Sequence, residues 1–231
     1  MSQRRCFGPK EDSPEAPRLD EPWPRTALRI EAEGPRHLEA HMNRLRQGAS
    51  CLGWEPSWLA SSVQDLSLWI GAQAPQGEQA LRLLLEPQRL VATLEPLPRA
   101  PSPCRLIPLA HPMEARRWDP ASRHKGLCGP WSRAVLATAS ALGGDDALLT
   151  WSDGTLAETA IAALALEVGG VLCLPPPEGR VVSLAEALDL PRWAAARGLE
   201  LCWQPIPVGR VPVGRLWCMN TLRGIWPATL L

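Results

Sequence analysis

Lysine is the scarce cation in this chain: of 24 basic residues 22 are arginine, and only Lys10 and Lys125 are lysine. Where cations are otherwise written as arginine, a retained lysine points to a task that guanidinium cannot perform. An amine can shed its proton and condense with a carbonyl, whereas guanidinium stays charged. Lys125 stands in a Gly-rich loop, Ser122 to Gly129, between His124 and Gly126, and is the better candidate. Lys10 falls in a charged, Pro-rich stretch and reads as an ordinary surface cation. His37 and His41, in HLEAH, have the i, i+4 spacing that can hold zinc from one helical face. No third ligand stands at a recognisable spacing, and Leu38 occupies the place that a peptidase motif gives to glutamate. A surface or lobe-facing pair is therefore expected, and no metal is assigned. Tyrosine is absent, which removes any tyrosine acid, base or nucleophile. Cysteines 6, 51, 104, 128, 173, 202 and 218 form no CxxC pair and read as small core residues of a reduced, cytoplasmic protein.

These side chains need elements to hold them. Residues 8–25 contain five prolines and eight charges without periodicity, so residues 1–25 are expected to form an irregular arm. From Thr26 the alternation of Thr26, Leu28, Ile30 and Ala32 with charged neighbours predicts a half-buried strand, turned at Gly34-Pro35. A helix over 36–52 places Leu38, Met42, Leu45, Ala49 and Leu52 on one face, with His37, His41 and Arg44 opposite. A second helix over 56–70 and strands near 79–85, 89–95 and 104–110 complete an N-terminal lobe, residues 26–110. The C-terminal lobe, residues 111–231, holds the lysine loop, a helix over 131–142 and a strand over 147–151 turned at Ser152–Gly154. Strands 161–168 and 171–174 follow, joined at Gly169-Gly170. Helical sequence over 183–197 is interrupted by Pro191, and strands near 199–204 and 215–220 precede a short C-terminal stretch. The pattern is α+β in two lobes.

The 24 acidic residues cancel the 24 basic ones, which argues against a broadly basic nucleic-acid surface. At 45% hydrophobic residues the chain is globular. Its most apolar window, Ala160 to Leu174, is broken by Glu167 and two glycines and is too short to span a bilayer. Arg4 and Arg5 lead into Pro- and acid-rich sequence, so no secretory signal is expected.

Four stretches in order carry a resemblance to a known family: LRIEAEGPRHLEAHMNRLRQGA (28–49), HKG (124–126), DDALLTWSDGTLAET (145–159) and NTLRGIWP (220–227). Together they resemble the class IV aminotransferase family, over about residues 26–228. The resemblance implies a two-lobed fold like that of D-amino acid aminotransferase, a homodimer, and pyridoxal 5'-phosphate held between the lobes. It implies that Lys125 carries the cofactor as a Schiff base and acts as the catalytic base. Glu158 would pair with the pyridine nitrogen, Arg44 and Thr221 would meet the phosphate, and Asn220 and Arg223 would line the substrate side. Arg44, Lys125, Glu158 and Thr221 are thus expected to converge on one cleft.

NTLRGIWP is most similar to lyase-type members, which implies cleavage of 4-amino-4-deoxychorismate to 4-aminobenzoate and pyruvate. Pro130 and Trp131 stand where aminotransferase members commonly carry tyrosine, in keeping with that branch. The departures are also specific. A Pro-rich arm replaces the family's usual entry strand, TAIAA (159–163) lacks the usual polarity, and EGRVVSLAEALDLPRW (178–193) lacks the recognisable phosphate loop. A class IV aminotransferase acting on branched-chain or D-amino acids, and a non-catalytic relative, are the rival readings.

Overall fold

A computed structural model of the chain describes residues 2–10, 16–73 and 78–231. They divide into two compact units: unit 1 runs to Pro98 and takes in His124–Pro130, and unit 2 comprises Arg99–Arg123 and Trp131–Leu231. The lysine, expected from sequence with the C-terminal lobe, is thus grouped by its contacts with unit 1.

Unit 1 is an antiparallel sheet in the order β1 (Gln3–Phe7), β5 (Arg89–Pro96), β4 (Gln79–Glu86), β2 (Arg25–Glu31) and β3 (Gly34–Pro35). Helices α1 (Leu38–Cys51) and α2 (Leu59–Ala72) supply the rest of its core. The alternation read from Thr26 holds for Thr26, Leu28 and Ile30, which are buried; Ala27 is buried as well, and Ala32 lies exposed beyond the strand's end at Glu31. Met42, Leu45 and Ala49 of α1 and Leu59, Leu66 and Ile70 of α2 join them at helical spacing.

The arm differs from expectation. Residues 3–7 form β1, in register with β5 from Gln3–Leu94 to Phe7–Leu90. Phe7 is 1% exposed and meets Trp69 edge-on, with ring centroids 6.0 Å apart. One aromatic behind two arginines gives no periodicity to read, so tertiary burial decides the strand. Residues 11–15 of the arm lie outside the described set.

Unit 2 is built on a mixed eight-stranded sheet. Its order is β11 (Glu200–Trp203), β10 (Val171–Leu174), β9 (Ala163–Val168), β12 (Arg215–Asn220), β13 (Gly224–Leu230), β6 (Cys104–Ala110), β7 (Asp146–Thr150) and β8 (Leu156–Thr159). One face packs Leu106, Leu148, Leu164, Leu166, Leu216 and Cys218. The residues between them point the other way: Ala147 and Leu149 meet α3 (Trp131–Ala141), and Ala163, Ala165 and Met219 meet α4 (Leu184–Leu188) and α5 (Leu190–Ala195). The interruption expected at Pro191 is present, and the proline sits in the first turn of α5, where a missing N–H costs nothing. The C-terminal stretch is a full strand, β13, antiparallel to β12 and parallel to β6. Partial burial of apolar residues on both faces, Ile225 on one and Ala228 and Leu230 on the other, and Pro227 hide its period from the sequence.

Truncating Phe7 to alanine is expected to destabilise the chain by about 3–5 kcal/mol, because the cavity adds to the lost transfer energy. Urea unfolding measures this; a midpoint equal to wild type would return residues 3–7 to the role of a loose arm.

Candidate functional site

In unit 1 the backbone of the lysine loop is fixed before its side chain is considered. Gly126 has φ +102°, and a Cβ there would collide with the carbonyl oxygen of Trp23. Only glycine fits so close a backbone approach. The Arg25 amide donates to the Lys125 carbonyl at 3.0 Å, which ties the loop to the first residue of β2. The next residue, Thr26, places its hydroxyl 2.6 Å from Nδ1 of His41 on α1. Arg44 lies three residues further along α1, on the same side of the helix as His41.

His41 is fully buried, contrary to the expected surface or lobe-facing pair. Its Nε2 makes no hydrogen bond among the described residues. Burial, reinforced by the charges of Arg44, Lys125 and His37, pulls its pKa from 6.5 to about 3, so the ring is neutral. Both candidate cations are therefore near enough for their charges to be felt at one uncharged imidazole. Burial also lowers Arg44, from 12.5 to about 10. A guanidinium whose charge is disfavoured in this way gains when an anion joins it.

In unit 2, Glu158 sits in a β-bulge. Leu148 pairs with Thr159 and Thr150 with Leu156, so Ala157 and Glu158 together face Leu149. Bulges re-aim side chains, and Glu158 is 6% exposed, with Oε1 accepting the Val181 amide at 3.2 Å. His111 approaches the same oxygen, its Nε2 3.5 Å away. The sequence reading missed His111; its position one residue past the end of β6 was the available signal.

The turn after Glu158 is organised from within. Thr159 Oγ1 accepts the amides of Ile161 and Ala162, and buried Asp146 accepts that of Ala160. The amides of TAIAA are thus answered by its own Thr159 and by a carboxylate on β7. Burial raises the pKa of Asp146. The Asn220 side chain is committed to structure: Oδ1 accepts the amides of Leu222 and Arg223, and Nδ2 donates to the Ile161 carbonyl at 3.3 Å. That bond ties the Thr221–Arg223 hairpin to the turn following Glu158. Arg223 is near enough for its charge to be felt at Asp146. In the stretch 178–193, where no phosphate loop is recognisable, buried Arg180 grips Glu186 through two nitrogens and also donates to the Pro175 and Pro176 carbonyls.

This architecture is shared with solved structures. A hypothetical aminotransferase from Mycobacterium tuberculosis in its PLP-bound form aligns with TM-score 0.80 at 18% identity, over 99% of this chain and 91% of that one. A branched-chain aminotransferase from Thermoproteus uzoniensis, with norvaline, aligns with TM-score 0.81 at 17% identity, over 100% and 88%. A structure described as a candidate 4-amino-4-deoxychorismate lyase aligns with TM-score 0.73 at 24% identity, over 89% and 83%. The fold is that of the fold-type IV transaminases, as the sequence resemblance implied. A family profile described as amino-transferase class IV matches residues 26–231. The chain belongs to the class IV aminotransferase family. Comparison with curated proteins gives no match.

The buried neutral histidine carries a pH signature. The unfolded chain protonates His41 near pH 6.5 and the folded chain only near 3, so stability falls as pH drops through that window. Between pH 7 and pH 5 wild type is expected to lose about 2 kcal/mol more than His41→Gln. Urea titrations at the two pH values measure the difference, and parallel losses would refute the burial of an uncharged His41.

Proposed function

We propose that the chain is a pyridoxal-phosphate-dependent lyase that converts 4-amino-4-deoxychorismate to 4-aminobenzoate and pyruvate. The observation that carries this reading is the lysine loop, whose backbone is held by Gly126 and Arg25 and whose charge, like that of Arg44, is felt at His41. The side chains that each unit offers suit the cofactor by type. Arg44 offers a partly desolvated guanidinium to the phosphate, and Thr221 adds a hydroxyl. Glu158 offers a carboxylate oxygen, Oε2, to the ring nitrogen, while Oε1 is occupied by Val181. When bound, the cofactor supplies an electron-accepting ring.

The remaining work falls to the chain's own residues. Lys125 would hold the cofactor through its amine, and the same amine would take the proton from the amine-bearing carbon of the substrate. Glu158 would pair with the ring nitrogen and keep it protonated. Arg223 meets a substrate carboxylate, and Asn220 holds the hairpin that presents it. Loss of the enolpyruvyl group as pyruvate then leaves an aromatic product.

Three features support the lyase branch: the resemblance of NTLRGIWP, the absence of tyrosine, and the likeness to a candidate lyase. The likeness to a branched-chain aminotransferase favours amino-group transfer as the second reading. Elimination needs no acceptor, so purified protein given aminodeoxychorismate is expected to release 4-aminobenzoate and pyruvate in equal amounts over many turnovers. Lys125→Arg should lower the rate by at least about 10²–10⁴-fold, and Lys10→Arg should leave it unchanged. Turnover that stops after one equivalent and resumes only with added keto acid would reassign the chain as an aminotransferase.

A further inference from the structure

We propose that His111 is a positioning residue for Glu158: its Nε2–H holds one carboxylate oxygen and leaves the other for the cofactor ring. The inference rests on the reading of the site given above. Its origin is the parallel register of β6 and β7, in which Ala110 lies opposite Thr150. His111 and Trp151 are therefore the first residues beyond two adjacent strand ends, and the His111 amide extends the ladder by donating to the Thr150 carbonyl at 2.8 Å. Their rings stack, with centroids 4.1 Å apart at 30°, and Trp131 lies against the imidazole at 5.3 Å.

The ring's orientation is also set chemically. The Met113 amide donates to Nδ1 at 3.1 Å. An accepting Nδ1 carries no proton, so the proton of the neutral ring is on Nε2. His111 is 5% exposed, and Nε2 has no hydrogen bond that meets full geometry. A buried N–H left unmade is costly, and it stands 3.5 Å from Glu158 Oε1. A small turn of the bulged Glu158 closes that gap. Oε1 then receives two N–H groups, from Val181 and His111, and Oε2 alone remains for a ligand. Both tryptophans shield the imidazole from solvent, which suits a fixed donor rather than a group that exchanges protons.

Two amide variants separate this role from packing. His111→Asn and His111→Gln both lose the ring stack, and asparagine reproduces only the Nδ1 side. Glutamine extends an N–H to the Nε2 position. Pyridoxal phosphate binding by cofactor-stripped protein, followed by absorbance titration, is expected to weaken about ten- to a hundredfold for asparagine and to stay within about threefold of wild type for glutamine. Equal binding by the two variants, whether weak or strong, overturns the role. Nitrogen-15 spectra of wild type test it without substitution, since the chain has only four histidines. The Nε2–H tautomer is expected at His111, and the Nδ1–H tautomer overturns the proposal. Wild type that binds no pyridoxal phosphate fails the reading of the site itself, a result visible before any variant is made.

Discussion

The closest constraint in unit 1 is the contact between a glycine and a carbonyl. Gly126 lies so near Trp23 O that no side chain can be placed on it. Everything assigned to Lys125 depends on that closure. Trp23 stands between Pro22 and Pro24, whose rings restrict the backbone. Pro24 in turn nests against Gly48 of α1 and accepts the Leu85 amide of β4. Three successive residues then do three jobs: Pro24 packs on the helix, Arg25 holds the lysine carbonyl, and Thr26 bonds the buried histidine. The Pro-rich entry is thereby the floor beneath the lysine.

Buried charge around the candidate residues is handled in two ways. In unit 1 burial, with the charges of Arg44, Lys125 and His37 added, keeps the imidazole of His41 neutral. In unit 2 Glu158 accepts the Val181 amide, and Asp146 is braced by the amides of Ala147 and Ala160. Deep burial of polar groups is tolerable only when lone pairs and protons are answered in this way. Arg180 follows the same rule, with its donors spent on Glu186 and two proline carbonyls.

Much of this was legible in the sequence because it is periodic. The strand from Thr26, both long helices, the turns at Ser152–Gly154 and Gly169-Gly170 and the break at Pro191 follow from alternation, helical spacing and turn chemistry. Lys125 was legible for a chemical reason, its rarity among arginines. Other features depend on partners distant in the chain. His41 shares a helix with exposed polar residues, and only Thr26 and the lysine loop make its burial possible. β1 is defined by β5, and β13 by the strands on both sides. His111 acquires meaning from the register that sets it beside Trp151, and a single sequence does not contain that register. The Asn220 side chain, expected toward substrate, bonds to its own hairpin and to Ile161, an arrangement set by tertiary contact.

The central claim is that Lys125 is the amine that anchors the cofactor, and the chain's composition makes a direct measurement possible. Protein loaded with pyridoxal phosphate is reduced with borohydride, digested, and its peptides mapped by mass. With only two lysines in the sequence, the account predicts that the reduced cofactor is found on the peptide containing Lys125 and is absent from Lys10. Label on Lys10, or no label on either lysine, would contradict it.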